Sequence, residues 1–240
     1  MSFERRAVDA LALLHRIVLA HAPVALASSL GAEDMVLTDL IARHALPIDV
    51  FTLDTGRLPG ETYILMERVR EHYGLAIDVY YPDRRALESY VRDNGVNAFY
   101  RSVELRRRCC AIRKTEPLSR ALAGKGAWVT GLRRAQGVTR QHVAIEERDT
   151  VHGLPKFNPL ADWSDADVWG YVRARRVPYN PLHDRGYPSI GCAPCTRAVA
   201  PGEDIRAGRW WWENAEHKEC GLHRRPLDIA VRVETTYVHA

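Results

Sequence analysis

Short apolar runs alternating with amphipathic stretches of helical length predict an α/β fold: one open, mostly parallel, twisted sheet with helices on both faces. Two further observations support it. Each apolar run leaves through a turn rich in glycine, hydroxyl or carboxylate side chains, and strand-to-strand connections of this length imply right-handed crossovers. Beyond residue 177 the periodicity stops and proline and glycine accumulate, so the domain continues into a C-terminal extension.

Residues 3–21 read as an amphipathic helix with Val8, Leu11, Leu14, Ile17 and Val18 on one face, ended by Pro23. Val24-Ala25-Leu26-Ala27 is a short buried strand, and Ser28-Ser29-Leu30-Gly31 turns into a helix from Ala32 to about His44. Residues 48–53 are a second strand leaving through Asp54-Thr55-Gly56-Arg57; residues 61–73 make a helix and 76–80 a third strand. Helices follow at 84–92 and 103–122, the second carrying a cysteine pair. Trp128-Val129-Thr130-Gly131 is a strand with a glycine exit, and residues 143–147 one more. Ser164 caps a helix through about Arg175, with Asp165 and Asp167 in the first turn, where the helix dipole favours them. Residues 177–202 are loop around a Cys-x-x-Cys.

A chain of 240 residues can bury one sizeable core, and 46% hydrophobic with 27% charged residues are globular values. A net charge of +4 does not call for nucleic acid. No apolar run approaches the roughly 20 residues that span a bilayer. The N-terminal segment carries Glu4, Arg5, Arg6, Asp9, His15 and Arg16, unlike the apolar core of a signal peptide. The expected location is therefore cytoplasmic, where cysteines stay reduced and serve metals or catalysis.

Five cysteines divide into two close pairs, Cys109-Cys110 and Cys192-Ala193-Pro194-Cys195, and a fifth, Cys220. Four thiolates suit a tetrahedral zinc ion or an iron–sulfur cluster. Adjacent cysteines on a helix diverge by about 100°, which a body of several irons accepts more readily than one zinc ion does. Lys114, four residues after Cys110, falls on the same helical face, placed to offset cluster charge or to meet an anion. Around Cys220, Lys218 and His223 lower a thiol pKa and Glu219 acts the other way. Residue chemistry leaves it either an inert thiol or a nucleophile.

Of the 34 basic side chains only Lys114, Lys125, Lys156 and Lys218 are lysine. Guanidinium forks match phosphate and sulfate oxygens. Arg206 and Arg209, three apart, would share a helix face, and Arg140 with Arg133-Arg134 adds a second basic group. The turns at 28–34, at 54–57 and from Gly131 onward lie where open α/β sheets bind ligands. Their hydroxyls and glycines at a helix start suit an anion, yet neither a dinucleotide fingerprint nor a P-loop is present.

Together these motifs resemble the assimilatory adenylyl-sulfate reductases, within the wider family that includes the phosphoadenylyl-sulfate reductases. The resemblance rests on Ser28-Ser29-Leu30-Gly31-Ala32-Glu33-Asp34, Leu53-Asp54-Thr55-Gly56-Arg57, Cys109-Cys110 with Arg113-Lys114, and Thr130-Gly131-Leu132-Arg133-Arg134. It continues through Cys192-x-x-Cys195, the run from Glu203 to Trp211, and Glu219-Cys220-Gly221-Leu222-His223. It covers nearly the whole chain after the first helix. In the first turn this chain has Leu30 where the family often carries a hydroxyl.

The resemblance implies an adenine nucleotide alpha hydrolase-like sheet with a C-terminal catalytic extension, and an oxidoreductase of sulfate assimilation and cysteine biosynthesis. The four-cysteine set marks the branch that prefers adenylyl sulfate and holds a [4Fe-4S] cluster, here on Cys109, Cys110, Cys192 and Cys195. Cys220 would attack the substrate sulfur, expel AMP and be left as an S-sulfo adduct, from which thioredoxin, or a glutaredoxin-like reductant, releases sulfite. Substrate contacts fall to Ser28, Ser29, Gly31, Asp34, Leu53, Thr55, Lys114, Gly131, Arg140, Arg206, Arg209 and His223. Lys114 and the three arginines would surround the phosphosulfate, with the backbone of Leu53 and Gly131 near the base. Residues 1–208 would form the nucleotide-binding domain with the cysteine site, and 209–240 the catalytic tail. Neither nucleic acid nor membrane is an expected partner, and a homo-oligomer is compatible with the sequence. The alternatives are a 3′-phosphoadenylyl-sulfate reductase, a cluster-bearing tRNA sulfur transferase and a zinc-stabilised nucleic-acid-binding module.

Overall fold

Alternation of side chains along the strands decides which helices cover which face of the sheet. The computed structural model describes residues 2–214. The strands are β1 (Val24–Ala27), β2 (Ile48–Leu53), β3 (Asp78–Tyr80), β4 (Ala127–Val129), β5 (Glu146–Asp149) and β6 (Leu154–Phe157). The α-helices are α1 (Phe3–His21), α2 (Ala32–Arg43), α3 (Gly60–Tyr73), α4 (Arg84–Asn94), α5 (Val103–Cys110), α6 (Glu116–Leu122) and α7 (Asp165–Arg175). Val24 and Leu26, Ile48 and Val50, and Ala127 and Val129 enter one core with Leu14 and Ile17 of α1, Met35 and Leu37 of α2, Leu65 of α3 and Val168 of α7. Ala25, Phe51 and Trp128 point the other way, onto Leu118, Ala121 and Leu122 of α6. Each such aliphatic side chain, once fully buried, contributes roughly 1.5–3 kcal/mol, so the α1/α2/α3/α7 layer is the larger source of stability.

The strand order is β3-β2-β1-β4-β6-β5. β1 pairs in parallel with β2 and with β4, Val24 standing level with both Ile48 and Ala127. The winding therefore reverses at β1, and the loops leaving β1 and β4 diverge around a crevice. This is the topological switch point of an open α/β sheet. Only the outer pair, β5 with β6, is antiparallel among the described strands.

Three local departures from the expected elements have physical causes. The strand expected at 143–147 lies at Glu146–Asp149, and its hairpin partner β6 was not expected at all. Pro155 hid it, because proline removes a ladder donor; here it faces Arg148 on the β5 side, while β4 pairs only with Lys156 and Phe157. The single helix expected over 103–122 is α5, a π-helical turn Ala111–Thr115, and α6. Pro117 has no N–H to give the Arg113 carbonyl, so the α-ladder is interrupted there. β3 begins at Asp78 rather than 76.

Candidate active site

The first turn of the site is set by a buried carboxylate. Asp34, in the first turn of α2, accepts hydrogen bonds from the Ser29 backbone N–H and hydroxyl, both 2.7 Å, and from the Gly131 N–H at 3.1 Å. One side chain thus ties the loop after β1 to the loop after β4. Gly131 must be glycine for this approach, since a Cβ there would lie 2.3 Å from Asp34 Oδ1. Burial pushes the Asp34 carboxyl up to about 6, with the Glu33 charge adding to the shift and the hydrogen bonds from Ser29 and Gly131 opposing it. Gly31 caps α2 with no side chain over the helix N-terminus. Leu30 turns into the core, 1% exposed at φ 61°, while its N–H bonds Ser28 Oγ; it does not face the cleft as a ligand group.

The loop after β2 is braced in the same way. Asp54 accepts from the Gly56 N–H at 2.7 Å and from the Tyr63 hydroxyl at 2.9 Å, and the Arg113 guanidinium donates to the Thr55 carbonyl. These loops wall a cleft of about 1370 Å³, its open mouth included. Ser28, Ser29, Gly31, Asp34, Leu53, Thr55, Lys114, Gly131, Arg140, Arg206 and Arg209 all line it. Phe51, Leu118 and Trp128 give it an apolar floor.

Four cations reach this cleft by different routes. Lys114 comes from the π-helical turn. Arg140 donates from Nη1 to Gln136 Oε1 at 2.6 Å, and Gln136 Nε2 donates to the Gly131 carbonyl at 3.3 Å. Arg206 and Arg209 do not share a helix face: they sit in turns, Arg209 forming an antiparallel bridge with Thr196. Arg209 Nη1 donates to Ser189 Oγ at 3.2 Å and the Ile190 carbonyl at 3.3 Å, and its guanidinium covers Trp210 at 4.8 Å. Arg133 and Arg134 do not join this group. Arg133 is buried against Glu33 and Asp165, and Arg134 pairs with Asp162, so both are structural ion pairs.

A second, smaller space of about 390 Å³, its open side included, adjoins the cleft, lined by Cys109, Cys110, Cys192 and Cys195. Lys114, Arg209 and Trp210 line both spaces. Cys192 Sγ lies 3.3 Å from Thr55 Oγ1, and the Trp210 backbone N–H donates to the Cys195 carbonyl at 3.1 Å, so the two spaces share their walls. Among the described residues no three His, Cys, Asp or Glu side chains converge as a site for one metal ion. The four cysteines instead line one shared space. The donor set is all thiol, and Arg57, Arg106, Arg113, Lys114 and Arg209 supply positive charge around it, the balance that a thiolate-bound cluster needs. Burial pushes the Cys109 thiol up, against the pull of Arg113. Burial likewise pushes Cys195 up to about 12, helped by Cys192 and Cys110 and opposed by Lys114 and Arg209. Loading such a group must displace those protons.

The phosphoadenosine phosphosulfate reductase domain matches residues 23–198, which carry the whole sheet. The chain belongs to that family. Adenosine 5′-phosphosulfate reductase of Allochromatium vinosum is 59% identical over 220 residues, 92% of this chain and 86% of that one. The enzyme of the same name from Burkholderia cepacia is 59% identical over 212 residues, 88% and 85% of the two chains. Among solved structures, phosphoadenylyl-sulfate reductase from Candida auris, in a phosphate complex, superposes with a TM-score of 0.68 at 27% identity, covering 80% of this chain and 90% of that one. FMN adenylyltransferase of Candida glabrata, with a TM-score of 0.57 at 15% identity over 90% and 74% of the chains, shares the fold alone. Among the described residues no helix is long and apolar enough to cross a membrane.

Cys220 and His223 lie outside the described residues. The cleft also includes residues that sequence reading passed over: Gln136, Ser189 and His183 line it. Gln136 stands between Gly131 and Arg140 in a stretch with no periodicity, so only its hydrogen bonds reveal it. Trp210 is 1% exposed and Arg209 and Glu213 are buried, so this segment is held against the α/β body through those three residues.

Proposed function

We propose that the chain reduces adenylyl sulfate to sulfite and AMP through a Cys220 S-sulfo intermediate, with a thioredoxin-type dithiol as reductant. One observation carries this reading. The cleft at the switch point joins nucleotide-sized strand-end loops to Lys114, Arg140, Arg206 and Arg209, and the segment leading to Cys220 departs from Trp210 in its wall. The named activity of the 59%, 59% and 56% identical relatives supports adenylyl sulfate, whereas the structural neighbour named for the 3′-phosphorylated substrate is 27% identical.

The Cys220 thiolate attacks the sulfonate sulfur. A sulfur–sulfur bond forms, the bond from sulfur to the phosphate oxygen breaks, and AMP leaves with the electron pair. Lys114, Arg140, Arg206 and Arg209 stabilise the charge that moves onto the departing phosphate. A reductant thiolate then attacks Cys220 Sγ, and sulfite leaves with the electron pair of the Cys220–sulfonate bond. The second reductant thiol closes its disulfide and frees Cys220. Ser28, Ser29, Gly31 and the orphan N–H groups at the start of α2 bind the nucleotide's polar groups; Asp34 holds them in place, and Leu53, Thr55 and Gly131 seat the adenosine. His223 lies within reach of the nucleophile by sequence.

Cys109, Cys110, Cys192 and Cys195 would hold a [4Fe-4S] cluster, which when bound supplies a rigid, charged anchor beside Lys114. Iron with labile sulfide, rather than zinc, is the expected content. In this reading residues 209–240 act as the catalytic tail of a cytoplasmic enzyme. The test is Cys220→Ser with substrate labelled in the sulfonate: nucleotide should still bind and no labelled protein should form. Sulfite release at the wild-type rate from that variant would sink the mechanism.

A further inference from the structure

His183 lies on the 3-10 turn Pro181–Arg185, and its ring lines the cleft. The ring is held firmly. The His183 backbone N–H donates to the Asn180 carbonyl at 3.1 Å, and the Asn180 side chain, 1% exposed, donates to Thr62 Oγ1 at 3.1 Å, which fixes the turn that carries the ring. Trp169 meets the imidazole edge to face at 5.3 Å and meets Tyr179 at the same distance, while the Tyr179 hydroxyl bonds Asp184. Yet both ring nitrogens are buried with no hydrogen-bond partner, although the Tyr187 backbone comes close enough to raise the ring's pKa against the effect of burial.

Buried polar groups are as a rule paired, and a ring fixed in place with two idle nitrogens at a ligand cleft is the exception that calls for a cause. Packing alone does not supply one, since a phenyl ring would fill the same space without two desolvated nitrogens. Burial lowers the pKa of His183, so the ring is neutral and presents one donor and one acceptor. A phosphosulfate already has four cations in this cleft. A neutral donor–acceptor pair matches a hydroxyl, itself donor and acceptor, better than it matches an anion.

We propose that His183 contacts a ribose hydroxyl of the bound nucleotide and so sets the cleft's preference for a ribonucleotide; this rests on reading the cleft as an adenylate site. The test is a cycle of affinities on the full chain, by titration calorimetry with AMP, 2′-deoxy-AMP and 3′-deoxy-AMP, for the wild type, His183→Phe and His183→Gln. The wild type should bind AMP about tenfold more tightly than one of the two deoxynucleotides, the worth of one hydrogen bond. His183→Phe should lose that discrimination, with AMP affinity falling to the deoxy level and a melting temperature no lower than wild type. His183→Gln should restore part of it.

Equal losses of all three nucleotides in His183→Phe would overturn the sugar assignment, as would unchanged affinities, in which case water satisfies the ring. Wild type that binds AMP without sugar discrimination overturns this inference and leaves the adenylate site standing. Wild type that binds none of the three removes both.

Discussion

Arg106 and Glu213, 107 positions apart, form a doubly hydrogen-bonded ion pair with side chains 1% and 3% exposed, Nε to Oε1 at 2.9 Å and Nη2 to Oε2 at 2.6 Å. Arg106 stands three residues before Cys109 on α5, and Glu213 three after Trp210. The same guanidinium covers the Trp210 ring at 4.8 Å, matching Arg209 on that ring. The pair therefore pins the segment that precedes Cys220 to the helix that carries the cysteines. Glu213→Ala strands a buried guanidinium, and a cost of about 3–5 kcal/mol is expected. Replacing both partners by methionine should recover most of that, because the desolvation penalty of both charges disappears together. Urea unfolding of the three variants checks this; a double variant as unstable as Glu213→Ala would remove the argument.

The same pair marks where sequence reading ends. Arg106 sits in Arg106-Arg107-Arg108, and nothing in that run distinguishes the buried guanidinium from its neighbours. The strands and helices of the sheet were legible because periodicity and turn chemistry are local. The lining of the cleft was legible because each contributing turn announces itself with glycine, hydroxyl or cation at a strand exit. Arg206 and Arg209 both line the cleft, but the expected shared helix face is absent: turns and a bridge to Thr196 bring them there. Arg133 was misassigned because its partners, Glu33 and Asp165, are 100 and 32 residues away. β6 was hidden by a proline whose missing donor β4 does not need, because β4 pairs only with Lys156 and Phe157. Long-range pairing is what the local signals lack.

Arg206 and Arg209 offer a separation of charge from packing. Both line the cleft, but only Arg209 also covers Trp210 and threads past Gly191, where a Cβ would meet Arg209 Nη2 at 2.2 Å. Loss of either guanidinium should lower kcat/KM by on the order of 30- to 1000-fold, the range for one lost donor to developing charge. Arg206→Ala should do so with little change in thermal stability, whereas Arg209→Ala should also melt earlier. Wild-type kinetics from Arg206→Ala would take that residue out of the anion site.

Gly131 joins the loop after β4 to the loop after β1. An added Cβ would meet Asp34 Oδ1 at 2.3 Å and Glu33 Cβ at 2.9 Å, neither of them the far end of a flexible side chain. Gly131→Ala must therefore push the loops after β1 and β4 apart. A cost of about 1–3 kcal/mol in stability is expected from overpacking, with a larger proportional loss in AMP affinity because the Asp34 bridge spans the site itself. Titration of AMP beside thermal melting separates the two; loss of stability with AMP affinity intact would show that the crevice does not bind the nucleotide.

Asp34 is expected to write its own signature on stability against pH. Burial raises its carboxyl from the ordinary 3.8 to about 6 in the folded chain. Between those values the native state holds a proton that the unfolded chain has released. The unfolding free energy therefore falls as pH rises from about 4 to 6 and then levels, by on the order of 3 kcal/mol from this group. Asp34→Asn has no such group, so the wild-type-minus-variant difference should fall across that window; a difference that rises would reverse the assignment. Function should run the opposite way. Ionised Asp34 accepts from the Ser29 N–H and hydroxyl and from the Gly131 N–H, and protonation surrenders part of that acceptor capacity. AMP affinity in the wild type should drop as pH falls below about 6, and Asp34→Asn, which cannot accept from both loops with one oxygen facing each N–H, should bind AMP weakly from pH 5 to 8. The carboxylate is then least favourable to the fold in the state that draws the β1 and β4 loops together, which is how a charge comes to be retained in a buried position at a ligand cleft.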